Sequence, residues 1–175
     1  MNNLPEIFID KVVGISIDDI LNNHLQFSWT EAGVAESRYK NNGLSSKNIR
    51  DASTNRFSDA FTEILNDKVG SLVMRYAEEN NIKDLKNEGY HIVRYTTGQF
   101  FAEHTDATPE YPRRVSAIVY LNDNYEGGTI TFSNLEKSFK PQTNTIMIFP
   151  SSEHFSHSAD PVISGTKYAI IGFWL

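Results

Sequence analysis

The segment YTTGQFFAEHTDAT, Tyr95 to Thr108, sets His104 and Asp106 two residues apart directly after an aromatic run. Imidazole nitrogen and carboxylate oxygen are both ligands for divalent iron or zinc, so the pair is a possible start of a metal site. Alone it carries little weight: with 22 acidic residues in 175, an Asp or Glu two places after one of the five histidines arises readily by chance. A working site needs a strand to hold the pair, a third ligand from elsewhere, and a group that binds whatever the metal serves. On a strand, residues two apart share a face, so His104 and Asp106 are expected to project together with Ala102 and Phe100. Neighbouring strands of a jelly roll are distant in sequence, which leaves His154 and His157 in FPSSEHFSHSADPV as candidates for the third ligand. Two histidines and one carboxylate leave open coordination positions for a bidentate co-substrate and O2 on iron(II), and zinc accepts the same set.

The composition narrows the chemistry. The chain has no cysteine, which removes disulfides, iron-sulfur clusters, thiolate zinc sites and thiol nucleophiles, so any metal must be held by His, Asp or Glu. A net charge of -6 and a pI near 5.3 speak against a nucleic-acid partner, whose grip comes largely from phosphate neutralisation by Lys and Arg. The start has no cationic segment followed by a long apolar one, and no run approaches the roughly 18 apolar residues of a membrane span. The expectation is a soluble, cytoplasmic protein with no membrane partner. At 175 residues a single domain is expected, and eleven Phe with eight Tyr favour packed strands over a helical bundle.

The elements that must position the candidates follow from the patterning. EIFIDKV (Glu6 to Val12) alternates as a half-buried strand, SIDDILNN opens on Ser16 as a helix cap, and HLQFSW (His24 to Trp29) reads as a further strand. YKNNGLSSKNIRDASTNR, Tyr39 to Arg56, has neither period and reads as a long loop able to act as a lid. From Ser58 to about Asn80, Phe61, Leu65, Val69, Leu72, Val73 and Tyr76 recur at steps of three and four, predicting a capped amphipathic helix packed on a sheet. After Tyr90 nearly everything is short β-rich segments bounded by turn residues: YHIVRYT, QFFAEHT, RVSAIVYLN, GTITFS, KSFKP, NTIMIFP, FSHSAD and TKYAIIGFWL. That spacing predicts a jelly roll, mainly β, with the N-terminal helix outside it. Residues 1–89 are expected to give helical support and a loop, and residues 90–175 the core.

The elements YTTGQFFAEHTD, YLNDNYEGGTITF and KPQTNTIMIFPSSEHFSHSADPVISGTKYAIIGFW, in that order, resemble the catalytic core of the Fe(II)/2-oxoglutarate dioxygenases of the prolyl 4-hydroxylase type. The resemblance implies a double-stranded β-helix, Fe(II), 2-oxoglutarate and O2 as cofactor and co-substrates, and ascorbate as an accessory reductant. It implies His104, Asp106 and His157 as metal ligands, because the family's distal histidine lies four residues before the proline of P-V-x-x-G-x-[RK]-Y and ten before its basic residue. That basic residue is Lys167, which would pair with the far carboxylate of 2-oxoglutarate. On KYAIIGFWL, Lys167, Ala169, Ile171 and Phe173 share a face, and a cation buried among apolar neighbours demands an anionic partner. Tyr95, nine residues before His104, matches a family tyrosine that helps hold the same carboxylate. Arg113, seven before Tyr120, matches a family arginine near the peptide substrate.

His91 faces inward by the same alternation and is expected to be a core histidine. Glu126-Gly127-Gly128 reads as a hairpin turn, and Asn144 stands where the family commonly has glycine, the residue after Gly best suited to a left-handed backbone. Phe173 stands where the family often has tryptophan, with Trp174 one place later on the opposite face. The implied activity is hydroxylation of a prolyl residue at C4 in a peptide or protein. The alternatives are an oxygenase acting on another side chain or a free amino acid, a cupin-like zinc-binding or hydrolytic protein, and a non-catalytic jelly roll. The oligomeric state is not legible in the sequence.

Overall fold

The computed structural model describes residues 6–34 and 46–175. Its strands, in chain order, are β1 (Phe8–Lys11), β2 (Thr30–Glu31), β3 (Arg50–Asp51), β4 (Ser53–Arg56), β5 (Asn87–Thr96), β6 (Phe100–His104), β7 (Val115–Tyr120), β8 (Glu126–Gly127), β9 (Ile130–Phe132), β10 (Lys137–Phe139), β11 (Thr145–Pro150), β12 (His157–Ala159), β13 (Val162–Ser164) and β14 (Thr166–Trp174). They form a larger sheet of order β1-β11-β7-β14-β5-β4-β2, a smaller one of order β10-β9-β12-β6-β3, and the pair β13-β8. Each of the eight strands expected after Tyr90 is present. This is the predicted double-stranded β-helix.

Strict alternation divides the larger sheet between two cores. Tyr90 and Ile92 of β5, Val115, Ala117 and Val119 of β7, Ile146 and Ile148 of β11, and Ile170 and Trp174 of β14 face one side, where they meet the helices. Val93 and Tyr95, Ile118 and Tyr120, Met147 and Phe149, and Ala169 face the other, toward the smaller sheet. The expected long helix supplies the first side. It runs from Asp59–Leu65 through a wider turn at Asn66–Gly70 into Ser71–Glu79. The Ser58 hydroxyl accepts the Phe61 N–H at its start, as the capping pattern requires. Phe61, Leu65, Val69, Val73 and Tyr76 form its buried stripe, and emptying one such position costs about 2–5 kcal/mol.

Two expectations about the first half are corrected. HLQFSW is not a strand: a helical turn continues to His24, and only Leu25 makes an isolated bridge, to Phe57. The Asn55 amide takes the place of a ladder partner, accepting the Phe27 N–H and donating to the Phe27 carbonyl. Nor is Tyr39 to Arg56 one long loop. Residues 39–45 lie outside the described residues, and beyond them a helical turn (Ser46–Ile49) leads into β3 and β4. β3 pairs with β6 in the smaller sheet and β4 with β5 in the larger, so the chain changes sheets at the buried Ala52. Polar residues such as Thr54 fit here because their side chains find backbone partners, the Thr54 hydroxyl donating to Ile92 O.

Candidate active site

His104 ends β6, and His157 opens β12 directly opposite it. Between the pair His157–His104 and the pair Ala159–Phe101 the register shifts, because two steps on β12 are matched by three on β6. That extra residue is a β-bulge, and it reverses the alternation of β6. Phe101, not Ala102 or Phe100, therefore shares the cavity with His104, stacked on it with ring centroids 3.5 Å apart. Asp106 lies beyond the strand's end, so it reaches the histidines through the turn and not through the period-two argument. Its carboxylate accepts the Ser116 hydroxyl at 2.7 Å, and Ser116 in turn meets Ser151 at 2.7 Å.

The three side chains are buried, and ligand atoms of all three lie within 4.8 Å of one another. Nδ1 of His104 meets the Ala102 carbonyl at 2.9 Å, and Nδ1 of His157 the Phe155 carbonyl at 3.0 Å. A carbonyl only accepts, so each ring carries a proton on Nδ1 and points its Nε2 toward Asp106. Nε2 of His104 lies 3.4 Å, and that of His157 3.8 Å, from the Asp106 carboxylate. Burial and then the neighbouring His157 push the His104 imidazole down to about 4, against the pull of Asp106. Burial opposes ionisation of Asp106, but His157, His104 and the Ser116 hydroxyl outweigh it and hold the carboxyl low. Two imidazoles and one carboxylate aimed at a common point fit a divalent ion such as iron(II). His154 sits on a short exposed turn with its ring against Phe155, outside this cluster.

The ligands line one wall of a cavity of about 290 Å³ between the sheets. Lys167, Ala169, Ile171 and Phe173 line it too, the face expected of β14. Lys167 is 3 % exposed, and its Nζ donates to Gly128 O at 2.6 Å. It makes no ion pair among the described residues. Burial, then repulsion from Lys140, push it down to about 7, while Asp160 pulls the other way. Nζ stands 5.6 Å from the ring centre of Tyr95 and 5.3 Å from that of Tyr120. Both tyrosines line the cavity, and neither hydroxyl has a partner among the described residues. A buried cation with two unused hydroxyls around it is built to receive an anion.

The Gly127-Gly128 turn is therefore more than a hairpin. Both residues have positive φ, and the turn presents its Gly128 carbonyl inward to Lys167 and its Gly127 carbonyl outward to Lys140. Asn144 also adopts the left-handed backbone, with φ of 60°. At the other end of the cavity Arg113 binds Glu88 at 2.6 Å and lies 3.6 Å above the Phe173 ring. His91 lines the cavity as well, so the expectation of a core histidine is corrected. The reading of the sequence also passed over Tyr120, Ser116, Phe101 and Arg50. Tyr120 lies two residues before Asn122 on an inward-facing position that alternation alone would have found. Ser116 and Arg50 gave no signal, since their roles depend on what lies across the sheets.

Fold and site together define a class: a jelly-roll metalloprotein with a two-histidine, one-carboxylate centre and a cationic cavity end. The sequence profile of the 2OG-Fe(II) oxygenase superfamily matches residues 90–175, and the chain belongs to that superfamily. Its members are dioxygenases that use Fe(II), 2-oxoglutarate and O2. A protein of Acanthamoeba polyphaga mimivirus named for prolyl 4-hydroxylase activity is 28% identical over 115 residues, 54% of this chain and 45% of that protein. The chain thus aligns with less than half the length of that relative. A Trichoplax adhaerens prolyl hydroxylase, solved with a hypoxia inducible factor peptide fragment, superimposes with a TM-score of 0.78 at 19% identity, covering 98% of this chain and 84% of that one. The viral collagen prolyl hydroxylase of Paramecium Bursaria Chlorella virus-1, in its 2OG complex, gives 0.64 at 21% identity, covering 83% and 94%.

Proposed function

We propose that this protein hydroxylates prolyl residues of a peptide or protein at C4, consuming 2-oxoglutarate and O2 at an iron(II) centre. The observation that carries the reading is the shape of the site. The cavity that holds the triad and Lys167 shares His91, Arg113 and Phe173 with the lining of a groove of about 870 Å³ that runs along β4 and the segment before β2. An open groove bordering a narrow cavity suits a chain that lies across the surface and inserts one side chain. The acidic balance of the protein and the names of its relatives support the same substrate class.

In this reading His104, Asp106 and His157 hold the iron, which couples decarboxylation of 2-oxoglutarate to succinate with transfer of one oxygen atom to the substrate. Lys167 captures the far carboxylate, with the Tyr95 and Tyr120 hydroxyls donating to it. The Ser116 hydroxyl keeps Asp106 turned toward the metal. Phe101, Ile118 and Ile130 wall the centre against water. Arg113, held rigid by Glu88 and Phe173, offers its remaining N–H groups to a substrate carbonyl at the mouth. The test is incubation of the iron-loaded protein and 2-oxoglutarate with proline-containing peptides, free proline and methylated DNA in separate reactions, read by mass spectrometry. Oxygen addition to the peptides alone is expected. Modification of free proline or of the nucleic acid alone would sink the peptide reading.

A further inference from the structure

His91 is a polar group to which the fold gives no hydrogen-bond partner among the described residues. On β5 it lies two same-face steps from Tyr95, and across the sheet it pairs with Ile171 where Tyr95 pairs with Lys167. At about 3.3 Å per residue the two polar spots are roughly 13 Å apart, with apolar Val93 and Ala169 between them. His91 is thus at the far end of the cavity from the carboxylate pocket. Along with Gly33, Arg50, Arg113 and Phe173 it lines both the cavity and the outer groove, which places it at the neck, the boundary the two share.

Its ring lies against Phe173, centroids 6.1 Å apart, and neither nitrogen has a hydrogen-bond partner among the described residues. The ring is only half-buried, and its nitrogens are not among the sealed, partnerless polar atoms, so they face open space in which a bound ligand can meet them. Burial first, and then Arg50 and Arg113, keep the ring neutral at physiological pH, Asp106 pulling weakly the other way. A neutral ring offers one N–H and one lone pair. The flanking Arg50 and Arg113 make the neck favourable to oxygen acceptors. A prolyl segment supplies these in excess, since proline has a carbonyl and no N–H.

Building on the prolyl-peptide reading, we propose that His91 donates a hydrogen bond to a backbone carbonyl of the substrate at this neck and so helps select which peptide is seated. Arg50 supports the same contact from the facing side. Its guanidinium lies 4.7 Å over the Phe101 ring and donates to Gly33 O at 3.0 Å, while its buried Nε has no partner. The ring packing against Phe173 is the competing explanation for a histidine here, and it predicts different behaviour on substitution.

The experiment compares wild type with His91→Phe, which keeps the packing and removes both nitrogens, with His91→Met, an unbranched apolar alternative, and with His91→Asn, which keeps an N–H. Binding of a fluorescent prolyl peptide is followed by anisotropy, KM and kcat are measured on the same peptide, and 2-oxoglutarate affinity reports on the integrity of the site. Loss of one hydrogen bond at a shielded position should weaken peptide binding and raise its KM about tenfold in the Phe and Met proteins. kcat and 2-oxoglutarate affinity should change little, and Asn should recover part of the loss. If peptide affinity is unchanged in the Phe and Met proteins while wild type turns the peptide over, His91 only packs and the proposal is overturned, the prolyl reading standing. If wild type hydroxylates no prolyl peptide, both are overturned.

Discussion

Replacing Lys167 by Met tests the co-substrate end of the cavity most directly. The ammonium is buried, has one carbonyl contact, at 2.6 Å to Gly128, and lacks an ion pair among the described residues. Removing one partner of a buried charge pair costs about 2–5 kcal/mol. Here the lower part of that range applies, because the unliganded protein also sheds an uncompensated buried charge. A loss of about 2–3 kcal/mol is a Kd for 2-oxoglutarate about 30- to 150-fold weaker. The assay is anaerobic titration of 2-oxoglutarate into the Fe(II)-loaded protein, followed calorimetrically or by the visible charge-transfer band, with iron affinity measured in parallel and expected to hold. The wild type carries a second signature. Lys167 must be protonated to pair with a carboxylate, and burial and Lys140 put its pKa at about 7. The affinity should therefore fall as pH rises above about 7, and Lys140→Met should move that midpoint upward. The same shift has the opposite sign for folding. The unfolded lysine titrates at 10.5 and the folded one at about 7, so the unfolded chain binds the extra proton between them. Stability of the unliganded protein should thus rise across that window. A Kd unchanged by Lys167→Met, or flat from pH 6 to 9 in the wild type, would refute the assignment.

Three other expectations follow from the same geometry. His157→Ala should abolish iron-dependent turnover and weaken iron binding, whereas His154→Ala, on its exposed turn, should leave both largely intact; metal titration and single-turnover assays separate them, and the reverse order would undo the ligand assignment. Ser116→Ala removes the hydroxyl that fixes Asp106 and should weaken Fe(II) affinity about 10- to 100-fold, with 2-oxoglutarate affinity of the iron-saturated protein retained. Gly127→Ala would place a Cβ against the Pro161 carbonyl and Ile163 at a residue with φ of 68°, so a fall of several degrees in Tm is expected, a normal Tm showing that the turn can yield.

Much of this was legible in the chain because it depended on local period. Alternation on β14 put Lys167, Ala169, Ile171 and Phe173 on one face and Trp174 on the other, and the three-four spacing from Phe61 to Tyr76 marked the buried stripe of the helix. Spacing to Pro161 and Lys167, read through a family resemblance, is enough to separate His157 from His154. What the tertiary structure decided is what sequence separation hides. The bulge in β6 exists only in the pairing of that strand with β12, so the exchange of Phe101 for Phe100 and Ala102 in the cavity could not be read from β6 alone. Ser116 holds Asp106 because β7 runs behind the turn that carries it, and Ser53 to Arg56 became a strand because β5 offered an edge that a polar sequence satisfies with its own side chains. His91 looked like a core residue because alternation states only that a side chain faces inward. Whether the inside at that point is packed or open depends on residues from β14 and on Arg50 and Arg113, which are far from it in the chain and meet it only in the folded protein.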